Sequence, residues 1–255
     1  MKKTIQIKNV TIGEGIPKIC VSVIGRTREE ILTQTEAAVA QKPDLLEWRA
    51  DFFEECMEET AVSETMEMVK ERLGEIPLIF TFRTAREGGN RQISTKNYVN
   101  LLTAAAKAHP DLTDVELKME GIKESGLIGR LQSEGICVIA SNHHFEGTPQ
   151  VEEMLSILGE MELSGADILK LAVMPQSTQD LLKLLYVTEY ASRRTEHPLI
   201  TMSMGGCGAL SRIAGEQFGS AVTFGAVGEA SAPGQIPIAE LREMLEKLHE
   251  FGGRP

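Results

Sequence analysis

Lys170 is a candidate for a chemical role, because it is a charged residue inside an otherwise apolar run. The run reads Asp-Ile-Leu-Lys-Leu-Ala-Val, which is typical of a strand covered on both faces in a parallel sheet. Such a lysine either pairs with a carboxylate or acts as a nucleophile, and the pattern supports both interpretations about equally. Desolvation lowers the pKa of a lysine, and the neutral amine can attack a ketone to form a Schiff base.

Two adjacent histidines follow another strand-like run, in the segment Ser-Asn-His-His-Phe. Neighbouring strand residues point to opposite faces, so His143 and His144 cannot easily chelate one metal, and only one of them can face Lys170. The remaining histidines lack ligand spacing, and the four cysteines include no Cys-x-x-Cys pair. We therefore expect no metal site. Without the nearby lysine, either histidine would be interpreted as structural.

Charged residues alternate along two further strand-like segments. Glu47 and Arg49 share one face, and Trp48 lies on the other. Asp114 and Glu116 show the same alternation, and ion pairing is their expected role. The charged face of the first segment is a candidate for the interior of the fold.

Two arginines and a glutamate lie beside a flexible turn in Phe-Arg-Thr-Ala-Arg-Glu-Gly-Gly. The simplest interpretation is a solvated salt-bridge cluster. That interpretation suits Arg86 well and Arg83 less well. Glu87 directly precedes the two glycines.

The last two candidate segments are rich in glycine. Residues 205–208 read Gly-Gly-Cys-Gly and precede a predicted helix, but Ser211 breaks the Gly-x-Gly-x-x-Gly pattern of a dinucleotide site. Arg212 could clamp a carboxylate, and its expected place near a helix N-terminus, which disfavours a cation, points to an anion nearby. The Pro-Gly turn after the last strand could form a lid that presents Ser231 and Gln235.

The elements that must position these residues are repeated βα units. Helix-period segments separate eight short apolar or β-branched runs, which predicts a parallel sheet. The predicted strands are Ile19–Ile24, Asp44–Arg49, Pro77–Arg83, Asp114–Leu117, Ile136–Ser141, Asp167–Val173, Leu199–Met204 and Ala221–Gly225.

Eight βα units close into a single (β/α)8 barrel, a TIM barrel of the α/β class, and this fold would place the candidates at the C-terminal ends of the strands. Thr4–Gly15 remains as an N-terminal β-hairpin covering the barrel bottom. An open doubly wound sheet is the alternative architecture. We expect residues 1–255 to form one domain.

Composition narrows the class of protein. Hydrophobic residues make up 42% and charged residues 25% of the chain, as in ordinary globular proteins. The formal net charge of −11 argues against nucleic acid as a partner. No apolar run approaches the roughly 20 residues that span a bilayer, and the N-terminus alternates like a strand rather than a signal peptide. We expect a cytoplasmic protein without a membrane partner.

Six motifs in order make the sequence resemble the type I 3-dehydroquinate dehydratases. They are Glu-Trp-Arg-Ala-Asp, Phe-Arg-Thr-x-x-Glu-Gly-Gly, Ser-x-His-x-Phe, Lys-x-Ala-x-Met-Pro, Met-Ser-Met-Gly-Gly-x-Gly-x-x-Ser-Arg and Ser-Ala-Pro-Gly-Gln. The resemblance implies a (β/α)8 barrel that dehydrates 3-dehydroquinate to 3-dehydroshikimate in the shikimate pathway. It also implies a homodimer that uses neither a metal nor an organic cofactor.

The resemblance also implies roles for individual residues. Lys170 would form the Schiff base, His143 would act as general acid and base, and Glu87 would orient that histidine. Arg212 would clamp the substrate carboxylate. The remaining matches to the substrate site are Glu47, Arg49 and Arg83, with Ser231 and Gln235 in the closing loop and, with less motif support, Ser22 on the pocket floor.

One departure from the family pattern is His144, where Asp or Asn is more usual. It puts the electrostatics around His143 in question. Two other functions stay open from the residues themselves, namely a class I Schiff-base aldolase and a non-catalytic barrel that binds a carboxylate.

Overall fold

Eight parallel strands form a ring in the computed structural model, which describes residues 4–228 and 230–252. A two-stranded antiparallel hairpin, β1 (Ile5–Ile7) and β2 (Val10–Ile12), precedes the ring. The ring strands are β3 (Lys18–Val23), β4 (Leu45–Arg49), β5 (Leu78–Thr81), β6 (Leu112–Glu116), β7 (Cys137–His144), β8 (Ile168–Val173), β9 (Leu199–Ser203) and β10 (Val222–Ala226).

The ring follows chain order and closes between its last two strands. β3 pairs with both β10 and β4, and each later strand pairs with the next as far as β9. The Ala221 N–H donates to the Leu199 carbonyl at 2.7 Å and joins the segment before β10 to β9. A short β11 (Ile236–Pro237) pairs in parallel with the end of β10. The predicted (β/α)8 barrel is confirmed.

Helices connect successive strands and cover the outside of the ring. Two single turns of 3-10 helix, Ala85–Glu87 and Gly206–Gly208, follow β5 and β9. The α-helices are α1 (Arg28–Ala40), α2 (Glu59–Leu73), α3 (Thr95–Ala106), α4 (Leu127–Ser133), α5 (Val151–Leu163), α6 (Thr178–Ser192), α7 (Ala209–Ile213), α8 (Gly215–Phe218) and α9 (Ile238–Gly252).

The barrel interior changes from apolar to charged along the strands. Because side chains alternate, every second residue points inward, and barrel side chains stack in layers. The lower layers form one apolar cluster of buried residues, including Cys20, Leu45, Ile79, Leu112, Ile139, Ile168, Ile200 and Val222. Two residues further along the same strands come Glu47, Thr81, Asp114, Ser141 and Lys170, all buried.

The hairpin covers the N-terminal end of the barrel, as predicted. Ile12 has no exposed surface, and Ile7 is 8% exposed. Both belong to the apolar cluster that fills the lower interior. Burial of these two side chains removes apolar area from water. The polar upper interior opens at the opposite end of the barrel.

Within the part of the chain that the structure describes, no helix combines the length and the apolar character needed to cross a membrane.

Candidate active site

A cavity lies at the C-terminal end of the barrel. Nine of the ten predicted site residues line it. They are Glu47, Arg49, Arg83, Glu87, His143, Lys170, Arg212, Ser231 and Gln235. The sequence therefore predicted the location of this cavity, while the roles of the residues depend on the contacts described next.

Lys170 projects into the barrel from β8 and is 4% exposed. Its Nζ donates to Asp114 Oδ2 at 3.0 Å and lies 3.5 Å from Glu47 Oε1. The same nitrogen lies 4.8 Å from the centre of the Phe224 ring. The lysine thus has carboxylate partners and also lines the cavity, so the two interpretations of its burial are compatible.

Cations hold the two carboxylates next to Lys170 in their ionised form. Burial alone would raise the pKa of Asp114, but Arg83 and Lys170 outweigh burial and hold that pKa well below its ordinary value. Burial opposes ionisation of Glu47 as well, yet Lys170 and Arg49 lower its pKa. No sequence pattern indicates that Asp114 contacts the lysine, because their strands, β6 and β8, are not neighbours in the ring.

Glu87 and His143 form a hydrogen-bonded pair at the cavity wall. Glu87 Oε2 lies 2.9 Å from His143 Nδ1 and accepts the backbone N–H of the same residue at 2.9 Å. Burial, together with Arg83 and Lys170, lowers the pKa of His143 well below its ordinary value. A neutral imidazole can accept a proton at neutral pH. His144 lies outside the cavity lining, as strand parity predicted.

Arg83 links the end of β5 to β6 and β7 through its guanidinium group. Nη2 donates to Asp114 Oδ1 at 2.7 Å, and Nη1 donates to Glu116 Oε1 at 3.0 Å and to Ser141 Oγ at 2.9 Å. The expected ion pairing of Asp114 and Glu116 is therefore confirmed. Arg49 is similarly engaged in a two-point contact with Asp51, at 2.7 and 2.8 Å. Both arginines reach the cavity with their guanidinium groups already paired to carboxylates.

Arg212 differs because no acidic side chain among residues 4–228 and 230–252 forms an ion pair with this buried cation. It is 1% exposed, and its one recorded hydrogen bond runs from Nη2 to the Pro233 carbonyl at 2.9 Å. Nε and Nη1 are buried without a hydrogen-bond partner among the described residues. Burial lowers the pKa of Arg212 to about 10, which still leaves the side chain cationic at neutral pH.

The expected position of Arg212 at a helix N-terminus is wrong. Helix α7 has five residues and begins at Ala209, which places Arg212 in its last turn. The glycine-rich segment before it forms a 3-10 turn that ends where the helix begins. An anion is therefore indicated by the buried guanidinium, in which Nε and Nη1 have no partner among the described residues, and not by the helix dipole.

The predicted lid residues hold each other at the mouth of the cavity. The Gln235 side chain accepts the Ser231 backbone N–H at 3.0 Å and donates to Ser231 Oγ at 3.0 Å. The Gly205 N–H donates to the Pro233 carbonyl at 3.0 Å and joins this loop to the segment after β9. A Cβ on Gly234 would lie 2.4 Å from the Gly205 carbonyl oxygen, so the close approach needs glycine.

Ser22 is the one predicted site residue outside the cavity lining. Its hydroxyl donates to Glu47 Oε2 at 2.6 Å from the neighbouring strand. It therefore acts on the cavity through Glu47.

Several cavity residues escaped the sequence analysis because they are apolar. Phe145, Met202, Met204 and Phe224 line the walls beside the charged groups. Alternation along β9 could have identified the methionines, since they continue the inward face of Ile200. Apolar residues at inward positions look like ordinary core in a sequence.

One barrel mouth contains a buried lysine, a neutral histidine held by a carboxyl group and an arginine whose Nε and Nη1 have no partner among the described residues. These features place the chain in the class of (β/α)8-barrel enzymes with a lysine in the site. The family model for type I 3-dehydroquinase matches residues 19–251. The chain belongs to the type I 3-dehydroquinase family.

Relatives match over almost their whole length. The 3-dehydroquinate dehydratase of Bacillus velezensis is 46% identical over 250 residues, covering 97% of this chain and 99% of the relative. That of Clostridium botulinum is 46% identical over 252 residues, with 98% and 99% covered.

Solved structures show the same barrel. The 3-dehydroquinate dehydratase of Geobacillus kaustophilus superposes with a TM-score of 0.95 at 40% identity, with 98% of each chain covered. The type I enzyme of Clostridium difficile, crystallised with covalently modified comenic acid, superposes with a TM-score of 0.94 at 42% identity, covering 98% of this chain and 99% of that one.

Proposed function

We propose that the protein is a hydro-lyase that dehydrates 3-dehydroquinate to 3-dehydroshikimate in the shikimate pathway, through a Schiff base on Lys170. The observation that carries the proposal is the buried Lys170 in one cavity with His143 and the unpaired Arg212. The substrate has a ketone for the amine and a carboxylate for the guanidinium. Family membership supports the same reaction.

The reaction would begin when the Lys170 amine attacks the ring ketone and water leaves, giving a protonated imine. The imine acidifies the adjacent carbon because it accepts the electron pair of the breaking C–H bond. His143 would remove that proton and then protonate the departing β-hydroxyl, which leaves as water. A second water hydrolyses the imine and restores the amine, so one water is lost overall.

The other predicted residues would bind or orient. Glu87 would hold His143, and Arg212 would bind the substrate carboxylate through its unpaired donors. Glu47, Arg49 and Arg83 would face the ring hydroxyls, and Ser22 would fix Glu47. Ser231 and Gln235 would close the mouth.

Incubation with 3-dehydroquinate tests the proposed function directly. Enone absorbance should rise, and mass spectrometry should show the loss of one water from the substrate. Carbon–carbon cleavage products would identify an aldolase instead. Binding without turnover would identify a barrel that only holds a carboxylate.

Arg212→Ala should weaken substrate binding strongly. The variant loses a charge-assisted contact in a largely desolvated site, which costs roughly 2–4 kcal/mol. We expect KM to rise by one to three orders of magnitude in steady-state kinetics.

Arg86→Ala is the matched control, because Arg86 is an exposed arginine on the 3-10 turn after β5. Its KM should stay within about twofold of the wild type. An unchanged KM in Arg212→Ala would move the carboxylate site elsewhere, most plausibly to Arg83.

Chelators should leave the activity unchanged. No group of three or more His, Cys, Asp and Glu side chains within residues 4–228 and 230–252 is placed to hold a metal ion. The measurement is turnover before and after dialysis against a chelator. Loss of activity that added zinc restores would contradict the proposal of a metal-free reaction.

We further propose that residues 1–255 act as one domain, that the protein is a homodimer and that it works in the cytoplasm. The near-complete coverage of relatives by one barrel supports the first point. The dimer and the compartment rest on the family resemblance. Light scattering would give the mass in solution, where a mass near 28 kDa would indicate a monomer.

A further inference from the structure

Asn142 is a buried polar side chain that the proposed reaction leaves without a role. It lies on β7 between Ser141 and His143 and is 5% exposed. Its Nδ2 donates to Glu87 Oε1 at 2.9 Å. Its Oδ1 is buried without a hydrogen-bond partner among the described residues. Burying an amide oxygen without a partner costs free energy. We therefore expect the hydrogen bond from the amide nitrogen to Glu87 to be the reason for this residue.

Three donors from one strand segment hold the two oxygens of Glu87. Oε1 accepts from Asn142, and Oε2 accepts the backbone N–H of His143 and lies 2.9 Å from His143 Nδ1. All three contacts are favourable when Glu87 is a carboxylate and Nδ1 carries the imidazole proton. In that tautomer Nε2 has a free lone pair, as a general base requires.

The surroundings of Glu87 disfavour its carboxylate form, so each group that donates to this carboxyl matters. Arg83 from the end of β5 lies 3.6 Å from Oε2 and favours the carboxylate, whereas Glu116 and Asp114 from β6 oppose it. Burial, followed by Glu116, raises the pKa of Glu87 to about 8, and the hydrogen bond from Asn142 acts in the opposite direction. The charged groups that act on His143 itself are Arg83, Lys170, Asp114 and Arg49.

Protonation of Glu87 would reverse the hydrogen bond to His143. A carboxylic acid can donate its proton to Nδ1, which then leaves the imidazole proton on Nε2. The histidine would present a donor where the proposed reaction needs an acceptor. A neutral donor such as the Asn142 amide favours the carboxylate without adding a charge to the site.

We propose that Asn142 is a positioning residue whose amide favours the carboxylate form of Glu87, and with it the tautomer of His143 that has its proton on Nδ1 and its lone pair on Nε2. The inference rests on the proposed function, because it assigns Asn142 to the same reaction. It acts through Glu87 and requires no contact with substrate.

The test compares pH profiles of kcat for the wild type, Asn142→Leu and Asn142→Asp. Leucine keeps the branching of the side chain and removes the donor, and aspartate places an acceptor opposite Oε1. Each change raises the pKa of Glu87, so the acidic limb should move to higher pH, further in the aspartate variant. A shift of one unit lowers kcat about tenfold on that limb, with recovery at higher pH and KM within about twofold.

Glu87→Gln provides the matched background, since its side chain cannot ionise. Asn142→Leu should change kcat by less than about twofold in that background and should not shift the profile. Nitrogen NMR of labelled histidine across a pH series gives a second readout, in which the Nε2–H tautomer of His143 should persist to higher pH in Asn142→Leu than in the wild type.

Two results would overturn the proposal: a loss of kcat equal at every pH, or the same loss with and without Glu87. An unchanged tautomer in a folded Asn142→Leu protein would do the same. An inactive wild type would instead overturn the proposed function, and that failure is visible before any variant is compared.

Discussion

Replacement of Lys170 by methionine should abolish turnover. The variant keeps a long apolar chain in the barrel but has no amine, so no imine can form and no electron sink becomes available. We expect a loss larger than the roughly 10²–10⁴-fold effect of removing a general acid or base. The measurement is kcat by enone absorbance, with circular dichroism to check folding. Lys183→Met on α6 is the control and should keep full activity.

Borohydride trapping locates the bond directly. Reduction in the presence of substrate or product should leave a stable mass increase on the peptide that contains Lys170, and no increase should appear without ligand. A label on another lysine would contradict the assignment. Turnover by Lys170→Met close to that of the wild type would contradict the whole Schiff-base route.

His143→Ala should show the second-largest effect. Loss of the group that moves protons to and from the substrate should reduce kcat by roughly 10²–10⁴-fold. Because the amine of Lys170 remains, trapping of the imine by borohydride should partly survive. Turnover and trapping measured on the same preparation separate the two steps.

His144→Ala is the matched control for this pair. His144 lies outside the cavity lining, and the main cause of its lowered pKa is partial burial. Most activity should remain, with at most a shifted pH optimum, since a nearby imidazolium disfavours protonation of His143. Greater damage from His144→Ala than from His143→Ala would show that the base is wrongly assigned.

Strand parity explains how much of this site was predictable from the sequence. Once the runs are interpreted as parallel strands, the period of two and the position at the strand ends bring Glu47, Lys170 and His143 to one mouth. Local residue patterns determine both features. The barrel, its hairpin and the position of the cavity followed from such patterns.

Contacts across the barrel were not predictable in the same way. The ion pair of Lys170 with Asp114 joins strands that are two places apart in the ring, and the bond from Asn142 to Glu87 joins β7 to the turn after β5. These distances depend on the stagger and tilt of strands, which no local pattern encodes. The end of the short helix that carries Arg212 was missed because helix boundaries are poorly marked in sequence.

The hairpin beneath the barrel limits the route by which small molecules enter and leave the site. With Ile7 and Ile12 packed into the apolar lower interior, the described part of the floor separates Lys170 from the solvent below by apolar side chains. Substrate, product, the water released and the water that hydrolyses the imine must therefore all use the mouth beside Ser231 and Gln235. A compound that forms an imine with Lys170 and also fills this mouth would keep out the water that hydrolyses the imine. Such a compound would act as a long-lived inhibitor.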